Sequence, residues 1–577
     1  MTWAQRLERL VPDLAATFLR FPVSALFAVG LTLYLNVEGA SSDTDSQVIA
    51  AAAAAFIGSG AAHLFAESRK MSGLTSVLIA IAAAAAAGVM GYFTRVFDTN
   101  LLFLFAGLIP LPMIAPYLRS GVKQGAIWLF NLRFGLAALL AAVVALLFAL
   151  GLSAIVEALN ILFGAGLSDL HEHIWYTAMA LVAPLYGLSL MPRELDEEVD
   201  VGHQKGSLLD RGVSVLVNYV AVPVIAVYAL ILHAYAIKII IDGELPKGQI
   251  GIMVSIFAIG GTAAWLVAWP WRDAGTRLLR LFMRYWFFLL IVPAVLLTIA
   301  IWRRLSDYGV TPDRYGIVLV AIWVAALVAY LAIRRNRADM RAILGAMAVL
   351  LLAGSVGPMG ANGLTISSQF SRLVALLDKQ GVLKYGKIAG QGLLTSEIAG
   401  AGYSIIYALK DAGGLHRLAP WFKDDPKDPF AKQDGEWALA QALNERLGFA
   451  QAYVTEDHVN FYTNVAGRFT FPDGAELLGP FQDTRIHDAA HVQQPLTSAS
   501  DQEDVIIKLE DKTYRVAQKR LLEAAKSRPA AKPGSLQTLS IEIEPGVTML
   551  IDQLSGNQNA KPSVNNLRFW LIRQRQP

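Results

Sequence analysis

The chain has 577 residues, of which 55% are apolar and only 16% charged, with a positive mean hydropathy. Soluble domains carry about 25% charged residues, so a purely soluble enzyme is excluded, as is disorder, which needs low hydrophobicity and high net charge. A net charge of +3 leaves no whole-chain basic footprint for nucleic acid, and the lack of cysteine removes disulfides, thiolate nucleophiles and Cys-based metal sites.

Residues 1–21 read as a cytoplasmic amphipathic helix lying in the membrane plane. Trp3, Leu7, Leu10, Val11 and Leu14 share one helical face, with Gln5, Arg6, Glu8 and Arg9 elsewhere. Glu8, Asp13 and the apolar segments that follow argue against a cleavable signal peptide. Residues 22–356 are expected to form an α-helical polytopic membrane bundle, because a crossing needs about 20 mostly apolar residues. About eleven segments qualify: Pro22–Val37, Gln47–Ala66, Gly73–Phe93, Leu101–Leu118, Ala126–Leu152, Ile174–Met191, Gly212–Ile237, Ile250–Trp269, Tyr285–Trp302, Gly316–Ile333 and Ala342–Val356.

The N-terminal segment and the even-numbered loops carry eighteen Lys and Arg, against six in the odd-numbered loops (Arg95, Lys238, Lys247, Arg303, Arg304 and Arg314). Positive charge stays inside, so the N-terminus is expected in the cytoplasm. An odd number of crossings then exports everything after Val356, to the periplasm if the membrane is a bacterial inner membrane.

The exported part is expected to be an α+β domain. Residues 357–447 form its helical portion: Ser368–Gln380 is amphipathic and ends at Gly381, and Ile398–Leu409 and Glu436–Leu447 are helical too. Asp424–Pro429 is a polar, proline-broken loop. Residues 448–577 are strand-rich, with expected hairpins pairing Ala452–Val454 with Val459–Tyr462 and Val505–Leu509 with Thr513–Val516. Ala524–Ser535 reads as a linker. Leu539, Ile541 and Ile543 alternate, Pro545-Gly546 turns, Val547, Met549 and Ile551 alternate again, and Leu567–Ile572 is a last strand. No Gly-rich phosphate loop or internal repeat is visible, and no cofactor is expected.

Tyr308-Gly309-Val310-Thr311-Pro312-Asp313-Arg314-Tyr315 follows the ninth segment, and Ile366-Ser367-Ser368-Gln369-Phe370-Ser371-Arg372-Leu373 follows the eleventh. With Ile405-Ile406-Tyr407-Ala408-Leu409 and Gly414, these stretches resemble a family of bacterial multi-pass membrane proteins, the domain of unknown function 4153. The resemblance implies a bacterial inner-membrane protein and supplies no catalytic residues.

The same two stretches form a candidate juxtamembrane site of Tyr308, Thr311, Asp313, Arg314, Tyr315, Ser368, Gln369 and Arg372. Arginines among hydroxyls and amides suit phosphate or carboxylate. They suit equally the docking of the exported domain through salt bridges with Asp307 or Asp313. A candidate intramembrane polar site comprises His63, Glu67, Asn131 and Arg133, because polar groups in lipid are costly. His63 and Glu67, four apart, suit either a proton relay or an interfacial position. Arg133, about 10 Å inside its segment at 1.5 Å per residue, needs an anionic ligand or a carboxylate partner.

His487-Asp488-Ala489-Ala490-His491 has the spacing of a zinc protease helix but lacks its Glu, and its polar surroundings favour a solvated loop without metal. His171 and His173, beside Glu172 and Asp169, do not share a helical face and read as a polar cap. Asn218 and His233 suit interhelical hydrogen bonds, and Arg277, Arg280 and Arg284 suit anionic lipid headgroups. The expected partners are therefore membrane lipids, anionic ones above all, and an envelope protein, with no nucleic acid. The foremost functional expectation is a non-catalytic envelope protein coupling a helical bundle to a periplasmic binding, sensing or scaffold domain. A membrane enzyme acting on a lipid-linked or anionic substrate at the outer leaflet comes second. A transporter comes third, since neither inverted repeats nor paired interrupted helices are present.

Overall fold

The computed structural model describes residues 14–40, 42–94, 99–197, 208–243, 250–334, 338–388, 396–423, 425, 427–431, 435–449, 458–462, 475–483, 504–509, 512–526, 539–557 and 563–574. The described residues fall into two compact units. The first comprises Met1–Arg372 with Ala408–Gly414, and the second Leu373–Tyr407 with Leu415–Pro577.

The first unit is helical. Among the described residues eight helices are long and apolar enough to cross a membrane: Thr44–Ser68, Gly73–Tyr92, Thr99–Tyr117, Gln124–Phe163, Gly212–Asp242, Ile250–Trp271, Arg277–Tyr308 and Pro312–Arg334. Leu14–Arg20 and Pro22–Glu38, bent by 114°, make a ninth if they act as one span. The sequence suggested about eleven, and the difference lies in three segments. Pro22–Glu38 has 17 residues and Met340–Ser355 has 16, or about 25 Å at 1.5 Å per residue, against a hydrocarbon core of about 30 Å. The sixth segment is a continuous helix from Leu170 to Ser189 with a π-helical turn at Ala178–Val182. Its first turns contain His171, Glu172 and His173, which dilute its apolar content below that of a span.

Small residues set the closest helix approaches, as lipid-embedded packing favours. A Cβ on Gly91 would lie 2.6 Å from the Ala50 carbonyl oxygen, and one on Gly58 would lie 2.9 Å from Ala87 Cβ. Ala141, Ala145 and Ala149 form a buried stripe on Gln124–Phe163, with Ala178 in the same cluster as the last two. The largest apolar core centres on the fully buried Trp286, whose ring centroid lies 5.1 Å from those of both Phe257 and Phe282. Its indole fills the space over Gly261, where a Cβ would fall 1.9 Å from Trp286 Cη2.

In the second unit, β1 (Leu383–Lys384) and β2 (Lys387–Ile388) form a short hairpin. The Asp425 carboxylate accepts from the Lys427 amide and from Arg446 Nε at 2.7 Å, tying the proline-broken loop to helix Glu436–Arg446. A five-stranded antiparallel sheet runs β3 (His458–Tyr462), β8 (Val547–Asn557), β9 (Ser563–Gln574), β4 (Ala475–Asp483), with β7 (Leu539–Glu544) also on β8. β5 (Asp504–Leu509) and β6 (Lys512–Ala517) form the expected second hairpin. Alternation also foretold the β7–β8 hairpin, with Leu539 opposite Ile551 and Ile541 opposite Met549. Val459–Tyr462 pairs with β8, and the expected partner 452–454 lies outside the described residues. Gln518–Lys526 is helical, so the expected linker starts no earlier than residue 527. Leu521 from this helix joins Val505, Ile507, Tyr514, Val516 and the inner residues of β7, β8 and β9 in one core.

Gly261→Ala is expected to lower the thermal unfolding midpoint of the detergent-purified protein by overpacking against Trp286, at a cost of about 1–3 kcal/mol. Gly260→Ala, where nothing lies within 4 Å of the new Cβ, is expected to leave it unchanged. Equal behaviour of the two variants would refute this account of the core.

Candidate functional site

The hydrogen bonds of the first unit join its loops in three groups. Arg20, before the first long helix, donates to the carbonyls of Met191 (2.7 Å) and Pro192 (2.6 Å) and, through Nε, to Glu67 (3.1 Å). Tyr117 donates its hydroxyl to Leu195 O at 2.9 Å, and Arg119 forms an ion pair with Asp196. Arg69 donates to Leu118 O, Arg341 to Arg119 O at 2.8 Å, and the Met340 amide to Gln124 Oε1 at 3.0 Å. These residues belong to the N-terminal segment and the second, fourth, sixth and tenth connections, which therefore meet at one end of the helices. The first and fifth connections meet through His173 Nδ1 and Asn36 Oδ1 at 3.0 Å. The ninth meets the segment after Ser355 through Tyr315, whose hydroxyl donates to Met359 O at 2.8 Å.

The candidate juxtamembrane residues come together on this ninth connection. Gly309 ends helix Arg277–Tyr308 with φ +71° and ψ −177°, a region essentially open to glycine alone. Helix Ala361–Lys379 lies directly over it: an added Cβ would sit 2.6 Å from Arg372 Cδ, 2.9 Å from Ser368 Oγ and 3.0 Å from Gln369 Nε2. Ser368 Oγ accepts from the Val310 amide at 3.0 Å. Gln369, 2% exposed, donates Nε2 to Tyr308 O at 3.1 Å and Val310 O at 2.7 Å. Three polar backbone groups freed by the helix end are thus satisfied by two side chains of one helix turn.

Arg314 reaches back over the same backbone. Its Nη1 donates to Gly309 O at 3.1 Å and Tyr308 O at 3.3 Å, and its guanidinium carbon lies 5.3 Å from the centroid of the Tyr308 ring. Among the described residues neither Arg314 nor Arg372 forms an ion pair, and Arg372 Nε is buried with no partner. The expected salt bridges to Asp307 or Asp313 are not formed; both aspartates are exposed. Thr311 contributes its carbonyl, which accepts from the Tyr315 amide at 2.9 Å.

The intramembrane candidates do not form one site. Glu67 holds Arg20, whereas His63, 2% exposed, places Nδ1 3.1 Å from Ser76 Oγ, and no hydrogen bond joins the two. His63 Nε2 has no partner among the described residues, and its ring meets Phe21 edge-on at 6.0 Å. Arg133 pairs with Glu197, Nη2 to Oε1 at 2.8 Å, so its partner is a carboxylate of the sixth connection. The helix that carries it, Gln124–Phe163, has 40 residues, about 60 Å long and twice the hydrocarbon thickness. Asn131, two residues earlier, has a buried Oδ1 with no partner among the described residues.

His171 lies 3.7 Å from Glu157 and His173 faces Asn36, so the two imidazoles serve separate partners. Asn218 bridges helices, donating to Ser214 O and accepting from the Thr276 amide at 2.9 Å, and His233 Nδ1 lies 2.7 Å from Ala229 O. Arg277, Arg280 and Arg284 are exposed. His487 and His491 lie outside the described residues, as does most of the N-terminal amphipathic segment. Among the described residues no group of three His, Asp or Glu could hold a metal ion.

Residues 22–363 match the family described as Domain of unknown function (DUF4153), more than half of the chain. The chain belongs to this family. An uncharacterized protein of Pasteurella multocida (strain Pm70) is 32% identical over 114 residues, 19% of this chain and 18% of that protein. The chain thus matches less than a fifth of that relative's length. No solved structure matches. The DUF4153 match includes the whole ninth connection and ends two residues before Thr365, so it stops short of Ser368, Gln369 and Arg372. Sequence reasoning missed Glu197 and Tyr117 as partners and counted Arg20, Arg119 and Arg341 only among the eighteen topological charges.

The Glu197 carboxyl is held below its ordinary range by the hydrogen bond from Arg133. A depressed native pKa gives stability that is present above the unfolded value and lost as pH falls through the native one. Wild-type protein is therefore expected to lose thermal stability on acidification below about pH 4.5 more steeply than Glu197→Gln. At pH 7 the variant is expected to be less stable by on the order of 1 kcal/mol, since the pair is partly exposed and screened. Parallel pH–stability curves would contradict this assignment.

Proposed function

We propose that this DUF4153 protein is an inner-membrane envelope protein whose helical bundle carries a C-terminal binding, sensing or scaffold domain on the periplasmic side. One observation carries the proposal: the loops that hydrogen-bond to one another at one end are the ones in which lysine and arginine concentrate. Loops two, four, six and ten and the N-terminal segment share a polar network built on Arg20, Arg69, Arg119 and Arg341. That end is the cytoplasmic one under the positive-inside rule.

The same sorting favours eleven end-to-end passages, the three marginal helices included. Eleven passages bring the ninth connection and everything after Ser355 to the outer side. Helix Ala361–Lys379, whose residues divide between the two compact units at Arg372 and Leu373, is the proposed mechanical link. Arg277, Arg280 and Arg284, exposed at the start of their helix, suit anionic lipids of the inner leaflet.

Alkaline phosphatase fused after Pro577 is expected to be active in cells, and green fluorescent protein at the same position dark. The converse pattern would remove both the odd passage count and the periplasmic assignment.

A further inference from the structure

On the arginine-poor end of the bundle, positive charge is not scattered. Of the six Lys and Arg in the odd-numbered loops, Arg303, Arg304 and Arg314 belong to the ninth connection, and Arg372 lies against its Gly309. Arg304 is one helical turn before Tyr308, so the two share a face, and Arg314 stands over the Tyr308 ring at 5.3 Å. Arg304 and Arg372 are both close enough to Arg314 to act on it as like charges. Among the described residues Asp313 is the carboxylate exerting an opposing pull on Arg314, and it is exposed.

Three like charges gathered without a carboxylate partner raise the energy of the folded chain unless an anion joins them. Elsewhere in this unit, part-buried arginines are neutralised internally: Arg20 by Glu67, Arg133 by Glu197 and Arg341 by Asp339. Here the donors remain without an acidic partner among the described residues. Arg314 uses only Nη1, on two carbonyls, and Arg372 Nε is buried with no partner. The backbone beneath them is fixed by Ser368 and the buried Gln369, so the guanidinium groups emerge from a rigid base.

We propose that Arg304, Arg314 and Arg372 form a binding site for a phosphate group presented at the membrane surface. Guanidinium forks hold phosphate oxygens in bidentate fashion. The exposed aromatic side chains of Trp302 and Tyr308 on the same helix mark headgroup depth, where such rings concentrate. A phospholipid headgroup and a free phosphate share this chemistry, and the site does not depend on which side of the membrane it faces.

The test uses the full-length protein in phosphatidylcholine nanodiscs doped with phosphatidylglycerol. Retained phosphatidylglycerol is counted by native mass spectrometry, and radiolabelled inorganic phosphate is measured by equilibrium dialysis in undoped discs. Wild-type protein is expected to retain about one more phosphatidylglycerol than Arg304→Gln/Arg314→Gln/Arg372→Gln, with millimolar phosphate failing to displace it; this identifies a lipid headgroup. Saturable phosphate binding, lost in the triple variant, identifies the free anion. Arg314→Lys/Arg372→Lys keeps the charge but loses the forks, and is expected to bind whichever probe the wild type binds about tenfold more weakly. That variant reports on the site even if removing all three charges disturbs folding. Equal retention by wild type and both variants, without saturable phosphate binding, would overturn the proposal.

Discussion

The helical unit depends on the satisfaction of polar groups at the ends of its helices, and the segment Met191–Glu197 is where that requirement is most concentrated. Within seven residues it offers three backbone carbonyls and two carboxylates to Arg20, Tyr117, Arg119 and Arg133. These partners come from three separate stretches of chain. Inside lipid, an apolar helix gains little from contact with another apolar helix, because lipid tails solvate it as well. Lateral order among the helices is therefore set by close small-residue contacts along their lengths and by charged, hydrogen-bonded straps at their ends. A buried or half-buried ion pair adds little net stability beside well-packed apolar groups, but removing one partner is costly. The strap thus specifies which helix ends meet more than it adds to overall stability.

Helix length explains why this polar layer can exist. Gln124–Phe163 and Arg277–Tyr308 have 40 and 32 residues, far more than the roughly 20 that a crossing needs. The excess in the first is at its start, where Ile127, Trp128, Leu129 and Phe130 are buried in protein and Arg133 meets Glu197. Beyond Ala137 the exposed residues include Leu139, Leu146, Leu150 and Ile155, an apolar surface suited to lipid. The helix changes partners along its length, from protein and polar loops to acyl chains. A residue's distance from the start of an apolar run is then a poor measure of its depth.

Apolar runs made the helices legible, and alternation did the same for β5 through β9, because both signals are local. All eleven apolar segments are helical, yet His171, Glu172 and His173 at the start of one helix and the shortness of two others keep the count of unambiguous spans among the described residues at eight or nine. β4 was missed because Gly479 and Pro480 interrupt its pattern, at the place where its register with β9 shifts. The pairing of Val459–Tyr462 with β8 links positions almost a hundred residues apart, and no local period encodes such a choice. Candidate site residues divide along the same line. Tyr308–Tyr315 and Ser368–Arg372 could be named because each held arginine beside hydroxyl or amide groups near a helix end. That Ser368 and Gln369 would serve the backbone, leaving the arginines without acidic partners, depended on contacts about 60 residues apart.

That division of labour bears on what the ninth connection can do. A helix end with free carbonyls and amides would draw neighbouring arginines into purely structural hydrogen bonds, and a guanidinium so engaged binds no ligand. At Gly309 the amide of Gln369 and the hydroxyl of Ser368 take most of that load. Arg314 is left with one nitrogen committed, and Arg372 lies along the chain with its Nε unmatched. The glycine makes this possible, since any Cβ would strike Arg372, Ser368 and Gln369 together. Backbone satisfaction by neutral side chains and charge retention by arginine are therefore two consequences of one close approach. The first anchors helix Ala361–Lys379 to the bundle, and the second leaves positive charge beside that anchor. An anion bound there would neutralise the charge at the point where the helix is held, so occupancy of the site and attachment of the helix are energetically coupled.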